Sequence, residues 1–268
     1  MDFDFSHVAV PFRMQPGLRR LAANAPRLTP LHPAGGLYEQ KRLVFEGGLS
    51  RHCVAGFDPS CAIESIVSHA LPMRASSLFG QETPLELAFE EDFAVLDGMT
   101  GTLPWLCVCV PSHWAPEDKL GLHFSALHAP VADNAALLAA SQRLVQLVTA
   151  GGCWERFVWT VSPSPRHDQH PRRHARTPWP PDQDAHAFAA RCFLRVERQT
   201  FFPVGRGTRQ AVFAIRVMLE PLVQVVDTPA RALRLHDSLA SMSDAVLAYK
   251  GLTEARTPLL KWLSGRAR

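Results

Sequence analysis

The sequence predicts an α+β fold, with one five-stranded antiparallel sheet, helices gathered on one side and helical extensions at both ends. Three observations carry this expectation. Strand-like patterning starts only near Leu85. The clearest strand pair, Phe193–Phe202 and Gln210–Glu220, flanks Gly205-Arg206-Gly207, a glycine-containing hairpin turn. No glycine-rich strand-to-helix turn of a doubly wound parallel sheet is present. The expected segments are an N-terminal extension over 1–84, a core over 85–222 and a C-terminal extension over 223–268, together one structural unit.

In chain order, the first 80 residues read as loops with short helices. Pro16-Gly17 opens a basic helical turn through Arg19 and Arg20. A helix covers Leu37 to Val44, and Asp58-Pro59 caps another through Ile63, Ile66 and Val67. Leu87, Phe89, Glu91, Phe93 and Val95 then alternate with mostly polar neighbours, a strand period. Leu103 to Val110 is a short apolar run closed by Pro111, hence a buried strand. Arg156 to Val161 gives the third strand and the hairpin the last two. Between strands two and three lie a helix around Glu117 to Leu127 and a longer one from Asp133 to Val148. Pro229 to Tyr249 closes the chain as a helix.

Composition removes whole classes. Hydrophobic residues at 47% and charged residues at 20% describe a globule, and no apolar run approaches the ~18 residues needed to span a bilayer. The acidic start MDFDFSHVAV lacks a basic n-region, so a secretory signal is not expected. Six dispersed cysteines form neither a disulfide framework nor an iron–sulfur site, which points to a reducing, cytoplasmic compartment. A net charge of +3 is too mild to imply nucleic acid.

Ser162 to His186 holds six prolines and four histidines in 25 residues, which excludes helix and central strand. It reads as a solvated surface loop; the sharper alternative is a lid or a metal tract using His167, His170 and His174, whose spacing matches no zinc pattern.

Two constellations carry chemistry. On a helix over 119–128, Leu120, His123, Phe124, Leu127 and His128 share one face, so His123 and His128 compete as the imidazole aimed into an apolar pocket. Such a ring is either a core histidine bonded to backbone or a metal or haem ligand. Trp114 and Lys119 flank the start of this helix; Lys119 suits either solvent or a carboxylate such as a haem propionate. In the hairpin, alternation puts Arg195, Glu197 and Gln199 on one face, while Arg216 interrupts eight apolar residues of the return strand. A buried guanidinium needs a carboxylate, and Glu197 is the nearest partner across the turn. That pair is either a register lock or a polarised pocket wall. Of Glu91 and Asp92, one points inward unless both lie on a solvated edge.

These stretches resemble the haem-dependent oxidative N-demethylase family. The matching pieces are RMQPGLRRL, LTPLHPAGG, FEEDFAVL, CVPSHWAPEDKLGLHFSALHAPVADN, RFVWTV, LRVERQTFFPVGRGTRQAVFAIRVMLEPL and LAYKGL, in order over about residues 11–252. The resemblance implies a PAS-like sheet cradling b-type haem. It further implies monooxygenase-like O2 activation on a small secondary amine, with electrons from separate reductase subunits carrying FMN and a 2Fe-2S cluster. Carried over residue by residue, it makes His128 of LHAPV the iron ligand, which decides between it and His123; Trp114, Lys119 and His123 complete the expected cofactor-binding residues. Arg195, Glu197, Arg198 and Arg216 then fall in the polar distal pocket. Two departures stand out: Phe157-Val158-Trp159 replaces the usual asparagine-tryptophan, and the proline- and histidine-rich loop is more basic than the family pattern. The absence of GxGxxG and of a cysteine cluster agrees with electrons arriving from another protein. The rival expectations are a non-catalytic haem-binding PAS-like sensor and a haem-free structural subunit.

Overall fold

The computed structural model describes residues 3–22, 24–70, 83–181 and 184–267. Its strands are β1 (Arg19–Arg20), β2 (Arg51–Cys53), β3 (Glu91–Asp97), β4 (Trp105–Cys107), β5 (Trp154–Ser162), β6 (Phe193–Pro203) and β7 (Gln210–Pro221). They form one sheet in the order β1-β5-β6-β7-β3-β4-β2, with every neighbouring pair antiparallel. The helices are α1 (Gly36–Glu46), α2 (Ser60–Ala70), α3 (Leu85–Ala88), α4 (Phe124–His128), α5 (Ala135–Ala139) and α6 (Ser141–Thr149). They continue with α7 (Ala185–Ala190), α8 (Leu222–Val225), α9 (Pro229–Ala240), α10 (Asp244–Lys250) and α11 (Arg256–Arg266). Among the described residues no helix is long and apolar enough to cross a membrane.

The mixed α and β character agrees with expectation, but among the described residues the sheet has seven strands rather than five. The two additions, β1 and β2, are its edges. Arg19 and Arg20 form strand instead of a helical turn, because Gly17 sits at φ +58° and Arg19 finds the carboxylate of Glu155 on β5, 2.8 Å away. Leu85 to Ala88 turn into α3 before β3 begins, and of the run 103–110 only Trp105–Cys107 joins the ladder. The helix expected over 117–127 is broken: Pro116–Asp118 is a 3-10 turn, Gly121 takes φ +72°, and His123 is extended. The long helices expected over 133–148 and 229–249 are each two, α5 with α6 and α9 with α10. Thr228 and Ser243 supply the N-caps of the last pair.

The β6–β7 hairpin sets the chemistry of the two sheet faces. Its register pairs Glu197 with Val217 and Arg198 with Arg216, so odd residues oppose odd and even oppose even. One face presents Ala94, Leu96, Leu106 and Phe201 towards Val145 and Val148 of α6. The other presents Phe93, Trp105, Phe202 and Val212 to α2 and α3, and Leu194, Val196 and Met218 to the C-terminal helices. Helices therefore cover both faces, not one, because strands with large apolar side chains on each side need two covers.

Candidate functional site

Between the odd-numbered face of β6 and β7 and the helices α4 to α6 lies a cavity of about 1050 Å³. That is at the upper end for small-molecule and cofactor sites. Its greasy wall combines Leu96, Leu106, Phe213 and Ile215 from the sheet with Phe124 and Leu127 of α4 and Val148 of α6.

His128 stands on this wall at the last residue of α4. Its Nδ1–H donates to the Phe124 carbonyl at 2.7 Å, the helical i−4 position. This fixes the tautomer, leaving Nε2 as an unprotonated acceptor with no hydrogen bond to the described residues. Burial pushes its pKa below the ordinary histidine value, opposed by the Phe124 carbonyl and reinforced by Arg156 and Lys119. The ring is therefore neutral at pH 7, the form that ligates metals.

His123 does not share this position. It is the exposed N-cap of α4, its Nδ1 facing the Ser125 amide at 3.2 Å and hydroxyl at 2.8 Å, and its ring lies over Gly101. The expected common helical face fails because helix begins only at Phe124. Trp114 and Lys119 do line the cavity.

The polar wall is built from β5 and β6. Arg195, Glu197, Gln199 and Phe201 of β6 and Arg156, Val158 and Thr160 of β5 all line the cavity. Glu197 accepts from Ser112 Oγ through one oxygen and from Gln199 Nε2 at 2.7 Å through the other. Ser112 Oγ in turn accepts from Arg195 Nε at 2.8 Å. The rest of the Arg195 guanidinium is spent on the carbonyls of Val110, Arg166 and His167. Burial, opposed first by Glu197, pulls its pKa down to about 10, still cationic at pH 7. Arg195 thus ties β6 to two loops and orients Ser112 against Glu197.

Arg198 and Arg216 are elsewhere. Both are even-numbered and lie on the opposite face, where Arg198 binds Glu155 at 2.9 Å and the Pro26 carbonyl, and Arg216 binds Glu90 at 2.6 Å. The expected Arg216–Glu197 pair is excluded by the parity of the hairpin register. Glu91 and Asp92 are both buried, not on a solvated edge. Asp92 pairs with Lys41 at 3.1 Å and accepts the Val110 amide at 2.7 Å. Glu91 accepts the Thr29 amide, and burial raises its pKa. The loop after β5 is also less solvated than expected: Asp168, Gln169 and His170 are buried, with Asp168 binding Arg173 and His174. His170 faces Glu117 at 3.1 Å. Among the described residues, no group of three or more metal-binding side chains gathers.

Sequence reading missed Ser112, Arg156, Tyr249 and Lys250, all in the cavity lining. Period-2 spacing of Arg156 with Val158 and Thr160 was the available signal for the second; the others arrive from distant loops and α10.

This arrangement defines an antiparallel-sheet protein with a cofactor-sized cavity that sets a neutral imidazole near an apolar wall and a carboxylate on a polar one. The model of the family described as haem-dependent oxidative N-demethylase, alpha subunit-like, matches residues 64–260, and the chain belongs to that family. The residues present fit a haem. His128 offers a free Nε2, the surrounding wall is apolar as a porphyrin requires, and Lys119 and Arg176 in the lining suit carboxylates.

Proposed function

We propose that this chain is the haem-binding catalytic subunit for oxidative N-demethylation of a small secondary amine. The single observation that carries the reading is His128, whose Nδ1 is tied to the Phe124 carbonyl while Nε2 is left for a ligand at a cavity of about 1050 Å³. A backbone bond of this kind orients and strengthens a ligating imidazole. We read β5-β6-β7-β3-β4 as the PAS-like core. Among the described residues the cavity lining contains no cysteine, which favours non-covalent haem b. The compartment is taken as cytoplasmic.

When bound, haem supplies oxygen activation and oxidation of the N-methyl group. In balance, R–NH–CH3 with O2, two electrons and two protons gives R–NH2, formaldehyde and water. The electrons come from a partner reductase carrying FMN and a 2Fe-2S cluster. The protein's own residues do the positioning. His128 would hold the haem iron, and Lys119 and Arg176 would meet the porphyrin's carboxylates. Glu197, a hydrogen-bond acceptor held by Ser112 and Gln199, takes the N–H of the amine. Arg195 keeps Ser112, and through it Glu197, in place. Leu127, Phe124 and Phe213 exclude water from the reacting carbon.

The test is turnover. Haem-loaded protein with NADPH, a surrogate flavin reductase and dimethylamine should release formaldehyde, and Glu197→Ala should lose most of that activity while keeping its haem. Full haem occupancy with no formaldehyde from any small secondary amine would favour the sensor reading instead.

A further inference from the structure

The polar wall holds unlike charges that decline to pair. Arg156 and Glu197 are diagonal neighbours across β5 and β6, since Arg156 stands opposite Gln199 and Glu197 opposite Val158. Diagonal neighbours of this length can reach one another. Glu197 nevertheless gives its oxygens to Ser112 and Gln199. The Arg156 side chain makes no hydrogen bond or ion pair with the described residues, and its Nε is buried without a partner.

Lys119 and Arg176 stand in the lining where they suit haem carboxylates, and the two remaining cations are occupied. Arg195 is consumed by Ser112 and three carbonyls. Lys250 donates to the Trp159 carbonyl at 2.8 Å and lies over the rings of Phe12 and Trp159. Arg156 is thus a guanidinium facing the cavity with its planar fork unused. A guanidinium Nε buried without a hydrogen-bond partner is costly, and a guanidinium matches a carboxylate through two parallel hydrogen bonds.

We infer that the cavity takes a zwitterionic secondary amine, an N-methyl amino acid, with its carboxylate on Arg156 and its ammonium on Glu197. The inference rests on the proposed demethylation only for the N-methyl group; the pairing of charges stands on the wall itself. A carboxylate seated beside Arg156 could also belong to the haem, so the test separates the two sources.

N-methylglycine, dimethylamine and N-methylethanolamine, which lacks the carboxylate, are titrated into the haem-loaded full chain by calorimetry. N-methylglycine should bind at least about 30-fold tighter than either amine, roughly 2 kcal/mol at 1.4 kcal/mol per decade. Arg156→Gln should erase that preference, leave dimethylamine affinity within about threefold, and leave the haem-to-protein ratio unchanged. Arg156→Lys, which keeps the charge but not the fork, should fall between and serves if the glutamine variant does not fold.

Equal binding of the three ligands, or a preference that survives Arg156→Gln, overturns the inference. So does loss of haem from that variant with the preference intact, which would give Arg156 to a haem propionate. Calorimetry reads binding without turnover. Tight, Arg156-dependent binding without formaldehyde would therefore sustain this inference while removing the demethylation reading.

Discussion

Lys41 on α1 is fully buried, and its ammonium meets four oxygens: the carbonyls of Phe89 at 2.9 Å, Glu90 at 3.3 Å and Glu91 at 2.7 Å, and Asp92 Oδ1 at 3.1 Å. Asp92 carries the contact onward, because its other oxygen accepts the Val110 amide just before the loop that bears Ser112. Lys41→Met would strand a buried carboxylate and remove one donor from each of three carbonyls. Breaking one partner of a buried pair costs about 3–5 kcal/mol. For a chain of this size each kcal/mol moves Tm by about 2–4 °C, so a fall of roughly 6–20 °C is expected. Asp92→Asn keeps an acceptor for Val110 and should lose less. The double variant should be no worse than Lys41→Met, giving a coupling of about 2–3 kcal/mol by urea unfolding. Strictly additive losses below about 1 kcal/mol each would refute the idea that this pair fastens α1 and the Ser112 loop to β3.

Three further predictions follow from particular residues. Burial, helped by Arg195 and Lys41, lowers the pKa of His167 to about 4. The unfolded chain protonates this ring near 6.5 and the folded chain only near 4, so its contribution to stability is full above 6.5 and lost as pH falls towards 4. His167→Gln should make the stability–pH slope between pH 6 and 4.5 shallower by about 1 kcal/mol per unit, read by urea unfolding, and an unchanged slope would contradict this. Arg198→Ala and Arg216→Ala should leave haem content and amine affinity unaltered, since both guanidinia serve the face away from the cavity; a tenfold change in amine binding by calorimetry would put them back in the site. Gly251 sits at φ +67°, where a Cβ would overlap the Arg176 guanidinium. Gly251→Ala should therefore cost more than about 1 kcal/mol in unfolding and weaken haem retention if Arg176 is displaced, whereas a stabilised variant would show the cap is unstrained.

Much of the central sheet was readable because its signals are local. The glycines of the β6–β7 turn take φ +57° and +80°, and the strands on either side fall within a residue of expectation. The partition of Arg195, Glu197 and Gln199 onto one face needed only alternation. What failed required information that no local window holds. Whether Arg216 shares a face with Glu197 depends on the parity of the turn, and one residue of register reverses the answer. β1 and β2, of two and three residues, are too short to show a period and exist only because β5 and β4 offer free edges. Solvation of Glu91 and Asp92 was misjudged because their partners, Thr29 and Lys41, lie 50 or more residues away. His123 and His128 could not be separated by spacing, since a glycine at Gly121 and a capping ring at His123 delay the helix by several residues.

The most direct test of the central claim is an absorption spectrum of the chain purified from haem-supplemented cells, beside His128→Ala and His123→Ala. Ligation by His128 Nε2 predicts a Soret band in the parent and in His123→Ala that is weakened or shifted in His128→Ala. A colourless parent, or a band indifferent to the loss of His128, would contradict it.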